Sequence, residues 1–227
     1  MVIEPAGATW DITKTGATNT IKLTDGDSFK EIVIMSQDSY QFTNFMTGFN
    51  YGAEPLGKES FGGRYTGTGG STNVACSFSN ALGNINTGQP TNPYVALGDP
   101  ETPVFQANPG EAVRFRVMQP SGSDQHVFEL YGHVWQEEPY LPGSTVIGNN
   151  DTSQWQGARM GLSAADRFDI VIPSAGGEFA VPGDYLYRSY PGGDQNYGMW
   201  GIFRVGNPTA LSTMPAICTP TDYGAMP

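Results

Sequence analysis

Thirty glycines and 17 prolines punctuate the 227 residues, about a fifth of the chain, and a helical period cannot be sustained through breakers at that density. Between them lie short segments that alternate apolar and polar residues. The clearest is AVRFRVMQ, residues 112–119, where Val113, Phe115 and Val117 face one way and Arg114 and Arg116 the other. RFDIVIP repeats the pattern with Phe168, Ile170 and Ile172. Strands are predicted at 2–4, 20–23, 31–36, 103–107, 112–119, 126–133, 145–148, 167–173, 184–190 and 199–205. Turn sequences NPGE, PSGSD, SAGGE and VPGD separate several of them. Short strands joined this way predict an all-β fold, a Greek-key β-sandwich or a barrel.

The charge balance narrows the partners. Eleven Lys and Arg stand against 22 Asp and Glu, a formal charge of −11, which argues against nucleic acid or an anionic membrane surface. No run approaches the roughly 20 apolar residues of a membrane span. With 12% aromatic and 38% hydrophobic residues the chain can fill a core, so disorder is not expected. Only Cys76 and Cys218 occur, with no CxxC pattern, which removes thiolate zinc sites and thioredoxin chemistry. One disulfide or two buried thiols both remain open. The charged fraction is 15%, with Asn, Gln, Ser, Thr and Gly abundant. Polarity of that kind correlates with an extracytoplasmic setting: periplasm, cell surface or secreted.

Two regions read differently from the strands. Residues 57–98 are rich in Gly, Ser, Thr and Asn. They are expected to form a long connection, with a short helix near 80–82, and loops of this length usually serve a function or an interface. The tail, 209–227, carries prolines and Cys218 and is expected to run extended over a neighbouring surface.

Three stretches together resemble the multicopper oxidase family, in its large cupredoxin-repeat branch of manganese-oxidase-like and ceruloplasmin-like proteins. They are GDPETPVFQANPGEAVRFRVMQPSGSDQHVFELYGHVW (98–135), RFDIVIPSAGGEFAVPGDYLYRSY (167–190) and GMWGIFRV (198–205). FNYGAEPL (49–56) is similar to a segment found ahead of that block in such proteins. The resemblance implies a cupredoxin-like Greek-key β-sandwich over residues 18–208, with the 57–98 insertion inside it. Residues 1–17 resemble the closing strand and linker of a preceding cupredoxin domain. That implies either a processed piece of a longer protein or a first strand docked into a neighbouring chain.

The family's copper motifs are degenerate here. Aligned on HPxHLHGH, His126 keeps a type 1 copper position, whereas Glu129 and Tyr131 replace two trinuclear-cluster histidines. Aligned on HCHxxxHxxxxM, Arg188, Ser189 and Tyr190 stand at the HCH triplet, Asp194 at the later histidine, and Met199 at the methionine. A blue copper centre needs a thiolate, and Ser189 has none. A trinuclear centre needs several imidazoles, and Arg188 would repel a cation. The vestigial type 1 positions are therefore His126, Ser189, Asp194 and Met199, and the vestigial trinuclear positions Glu129, Tyr131, Arg188 and Tyr190. No metal, cofactor or catalytic residue is assigned to this chain. Arg188 is expected to pair with Glu129, as a buried ion pair whose single disruption costs about 3–5 kcal/mol. His126 is expected beside Asp194. A weak site of His126, Asp194 and Met199 is the metal-binding alternative.

The remaining features have plain readings. His133 is expected to be a partly buried polar contact. Trp10, Trp135, Trp155 and Trp200 are expected in the core or an interface. Asp25 and Asp27, in TDGD, read as a turn. Asn150-Asp151-Thr152 is a glycosylation sequon. No Ser/His/Asp triad, phosphate loop or HExxH is legible. The expected function is a copper-free cupredoxin domain with a structural or assembly role, its partners being other cupredoxin domains or chains. The alternatives are a segment of an active Mn(II)- or Fe(II)-oxidising multicopper oxidase with copper in other segments, or a small-ligand module in the vacated pocket.

Overall fold

The computed structural model describes residues 4–14, 16–42, 45–50, 95–96, 102–141, 148, 150–190 and 199–206. Among the described residues there is no helix, so none is long and apolar enough to cross a membrane, a statement that concerns helices only. Strands β1 (Thr18–Lys22) and β2 (Ser28–Phe42) are joined at the TDGD sequence. There the Asp27 amide donates to the Asp25 carboxylate at 3.0 Å and Gly26 takes a φ of 98°, as the turn reading expects. Strand β3 (Phe45–Asn50) pairs with the far half of β2. Then come β4 (Val95–Ala96), β5 (Thr102–Ala107), β6 (Val113–Ser121), β7 (His126–Leu130), β8 (Trp135–Gln136) and β9 (Trp155–Gln156). Strands β10 (Ala158–Leu162), β11 (Asp166–Ile172), β12 (Gly183–Ser189) and β13 (Trp200–Val205) complete the order.

The first sheet runs β1-β2-β6-β11, with β3 also on β2, and the second runs β10-β7-β12-β13-β5-β4. Strands β8 and β9 form a separate small hairpin. Half of the ten strand pairs among the described residues join strands that are not neighbours in sequence, and β2–β6 and β13–β5 are parallel. The connections therefore cross between sheets, as in a Greek-key sandwich. The chain is an all-β sandwich.

Alternation fills the space between the sheets. Ile32, Ile34, Val113, Phe115, Val117, Ile170 and Ile172 come from the first sheet, and Phe105, Phe128, Leu130, Tyr187, Phe203 and Val205 from the second, all buried. Phe115 meets Phe203 edge-on with ring centroids 5.2 Å apart, a favoured aromatic geometry. The strand predicted over 126–133 stops at Leu130, because Tyr131 and Gly132 form a turn with Gly132 at a φ of 70°. Strand β10 was not legible, because ARMGL has no clean alternation and contains a bulge. Of the 57–98 segment only Val95–Ala96 is described, so Cys76, the expected helix near 80–82 and the tail with Cys218 lie outside the described residues. Val2 and Ile3 of the first predicted strand, and residues 145–147 of another, also lie outside them.

The outer side of the first sheet is not simply solvated. Arg114 is 2% exposed although it points away from the core. Its Nε donates to Glu31 at 2.7 Å, its Nη2 meets both Glu4 and Glu31, and its guanidinium lies 4.5 Å over the Phe29 ring. Arg116 extends the cluster, reaching Glu31 at 2.9 Å, Glu4 at 3.0 Å and Asp169 at 3.2 Å. Tyr140 donates to Asp169; burial first, then that carboxylate, pushes its phenol up to about 12. Glu4 thus ties the chain's opening segment to its own sheet, and Thr9 makes a bridge with Lys22 of β1. Removing one partner of a buried ion network strands the others. Arg114→Met is expected to cost about 3–5 kcal/mol, measured as a lowered midpoint in urea unfolding; an unchanged midpoint shows the network to be energetically idle.

Candidate functional site

Period-two alternation gives β7 and β12 two chemically distinct faces. His126, Phe128 and Leu130 point inward from β7, and Glu129 outward. Tyr187 and Ser189 point inward from β12, and Arg188 outward, directly opposite Glu129 in the register. His126 and Ser189 therefore lie on one side of the sheet, and Glu129 and Arg188 on the other.

On the inner side, His126 is 1% exposed and both its ring nitrogens have partners. Nδ1 lies 3.1 Å from the Ser189 hydroxyl, and Nε2 lies 2.7 Å from Oδ2 of Asp38. Asp38 is on β2, so this contact spans the sandwich from the second sheet to the first. Its carboxylate is itself fixed, accepting from the amides of Ser123 at 2.7 Å and Asp124 at 2.8 Å. Gly122 makes that approach possible, since a Cβ there would run into the Asp38 carboxylate and the Gln119 amide. A narrow cleft of about 20 Å³ opens onto the group, lined by Ile34, Ser36, Val117, Leu162, Met199 and Ser189 among others. Ser189 donates its amide to the Met199 carbonyl at 2.9 Å.

Three of the four expected type 1 positions, His126, Ser189 and Met199, thus converge. Asp194 lies outside the described residues. The carboxylate that meets His126 here is Asp38, which sequence reasoning missed. Nothing in SQDSY marks it, and it sits 88 positions from its partner. In the neutral tautomer that donates Nε2–H to Asp38, Nδ1 accepts the hydroxyl proton of Ser189. The order is serine, histidine, aspartate, although no such triad was legible.

On the outer side, Arg188 donates Nε to Glu129 at 3.2 Å, as expected. Its guanidinium lies 5.4 Å from the Tyr131 ring centroid and 5.1 Å from that of Tyr190, a double cation–π contact. Burial, with the Glu129 carboxylate adding to it, raises the Tyr131 phenol, while Arg188 works against both. The expectation of a buried pair needs correction. The side chains are 14% and 26% exposed because the pair faces outward from the sheet, with water at its edge. Arg188→Met is therefore expected to cost about 1–2 kcal/mol, between the surface and buried cases. Thermal melts would check this, and a loss as large as the Arg114 variant's would show the pair to be fully desolvated.

His133 is held apart from this group. Its Nδ1 donates to the Tyr131 carbonyl at 2.9 Å and its Nε2 accepts the Gly176 amide at 3.0 Å. Tyr185 and Phe203 pack edge-on against the ring. It is a structural contact, more buried than expected, at 4% exposed. Burial lowers its pKa, with the Tyr131 carbonyl opposing. The unfolded chain then takes up a proton that the folded chain refuses, so the contribution to stability is whole above about pH 6.5 and is lost as pH falls below it. Urea unfolding at pH 7 and pH 5 should show a steeper loss for the natural protein than for His133→Gln; parallel losses would overturn this.

The other singled-out residues have ordinary surroundings. Trp135 and Trp200 are buried, whereas Trp10 and Trp155 are exposed. Asn150 of the sequon is 6% exposed. Its amide donates to the Glu138 carbonyl and its carbonyl oxygen accepts from Thr152, so the folded chain does not present it to a glycosylating enzyme. Among the described residues no group of three or more His, Cys, Asp or Glu side chains is placed to hold a metal.

No protein-family model matches the chain, and no curated protein matches it. Solved structures of the cupredoxin fold do. A multicopper oxidase crystal structure is 9% identical, with 85% of this chain and 57% of that chain covered and a TM-score of 0.41. A copper-containing nitrite reductase from Thermus scotoductus is 12% identical, with coverages of 83% and 32% and a TM-score of 0.38. A laccase from Botrytis aclada is 14% identical, with coverages of 82% and 31% and a TM-score of 0.43. The chain spans 57% and 32% of the first two. These are likenesses of fold; the all-β class rests on the strands themselves.

Proposed function

We propose that the chain is a copper-free cupredoxin-type domain with a structural or assembly role beside other domains or chains, in an extracytoplasmic setting. One observation carries the metal-free reading: the ring nitrogen that would face a copper–thiolate pair faces the Ser189 hydroxyl instead, with the other nitrogen committed to Asp38. The donors gathered there are one imidazole, a hydroxyl, a carboxylate and a thioether. That mixture does not fit a blue copper centre, which needs a thiolate. The outer positions fit a trinuclear cluster no better, because a guanidinium in contact with Glu129 takes up the space and repels cations.

The assembly role is supported by the surface beside Arg188. Tyr131 and Tyr190, whose rings flank Arg188, are 42% and 55% exposed, and neighbouring exposed aromatic residues favour a contact with another protein surface. The chain's opening segment supports it less than its sequence implies, because Glu4 and Thr9 are engaged within the domain.

Copper loading with visible spectroscopy and elemental analysis, followed by light scattering, tests the reading. The expected outcome is no intense blue absorption and no stoichiometric copper in this chain, with association through the exposed face. A blue band that disappears in Ser189→Ala overturns the metal-free reading. A monomer that associates with no cupredoxin domain overturns the assembly role. Copper held only by companion domains would instead identify a segment of an active multicopper oxidase acting on Mn(II) or Fe(II).

A further inference from the structure

A cavity of about 800 Å³ lies at the end of the first sheet where β1 turns into β2, and it shares no lining residue with the His126 cleft. Cavities that hold small organic ligands run from roughly 300 to 1,000 Å³, so this one has room for a whole molecule. Three turns wall it: the opening segment at Pro5 and Ala6, the TDGD turn, and the turn from β5 into β6 at Gly110 and Glu111. Each is fixed by its own backbone. The Ala8 amide donates to the Pro5 carbonyl at 3.0 Å, the Leu23 amide to the Asp27 carbonyl at 2.8 Å, and the Glu111 amide to the Asn108 carbonyl at 3.0 Å. A ligand meets walls that already stand, so binding costs little ordering of the protein.

The lining is apolar on one side and unequally charged on the other. Leu23, Phe29, Val113 and Val171 supply the apolar wall. The Arg114 charge is met by Glu4 and Glu31, and Glu111 faces Lys30 at 3.7 Å. The Asp25 carboxylate accepts the Asp27 amide, but neither Asp25 nor Asp27 pairs with a cation among the described residues. Both are exposed at the rim. Uncompensated carboxylates beside a low-dielectric wall focus a negative potential, and the formal charge of −11 adds to it.

We infer that this cavity binds a small organic cation. Its ammonium group donates to Asp25 and Asp27 at the rim, and its apolar body leaves water against Leu23, Phe29 and Val171. An anion of the same shape is repelled, and a bare metal ion gains nothing from the apolar wall. The site is independent of the copper-free reading, because the two share no residue.

Isothermal titration calorimetry of the full chain with 4-phenylbutylammonium is the test, against 4-phenylbutan-1-ol, which keeps the body and lacks the charge. The expected result is saturable binding of the ammonium, with the alcohol about tenfold weaker, the worth of two rim ion pairs. Replacing both Asp25→Asn and Asp27→Asn should weaken the ammonium about tenfold and leave the alcohol unchanged. Ala6→Trp, which fills the cavity from the opening segment, should abolish binding of both. No saturable binding, equal affinities for the two probes, or an unchanged ammonium affinity in either folded variant overturns the proposal. Should the variants fail to fold, the natural protein decides alone. The amide resonances that move on titration must include those of Leu23, Phe29 and Val171; shifts confined to other residues overturn it.

Discussion

The contact between His126 and Asp38 is the constraint on which the candidate site depends. It joins the two sheets at a buried position, so neither residue can be left without the other at low cost. Asp38 in turn needs the amides of Ser123 and Asp124, which are delivered by a turn that only Gly122 permits. The site is thus a chain of obligations running from a tight turn, through a carboxylate and an imidazole, to a hydroxyl. Each link exists because a buried polar group must find a partner.

The second sheet separates two replacements of different character. Inward, Ser189, His126 and Asp38 form a hydrogen-bonded relay that is closed to most solvent. Outward, Glu129, Arg188, Tyr131 and Tyr190 form an ion pair between aromatic rings, at partly exposed positions. Direct opposition of Arg188 and Glu129 in the β7–β12 register makes the outer pair local. The inner relay is long-range, because it needs both sheets.

A similar contrast governs the charged cluster on the first sheet. Arg114 and Arg116 alternate with core residues, as a solvent-facing pair would, yet Arg114 is among the most buried side chains. Glu31 is in register with Arg114 on the neighbouring strand, and Glu4 arrives from the opening segment. Alternation fixes which way a side chain points; what lies on that side is decided by other parts of the chain.

Much of the fold was legible because its signals are local. The apolar period in 112–119 and 167–173 requires a buried face, and the Gly and Pro positions require turns, whatever the rest of the chain does. The Glu129–Arg188 pair was legible because the resemblance placed those residues. Strand β10 was hidden by its bulge and weak alternation, and the 126–133 strand was overextended because a left-handed Gly132 leaves no mark in hydropathy. Asp38 could not be found at all. Its role comes from the packing of the two sheets, across which Asp38 of β2 meets His126 while Ser36 lines the same cleft. The sequence alone determined an all-β fold of alternating strands, with a serine at position 189. Only the tertiary structure decided which carboxylate meets the buried histidine, because a hydrogen bond depends on distance in space and the two residues are far apart along the chain.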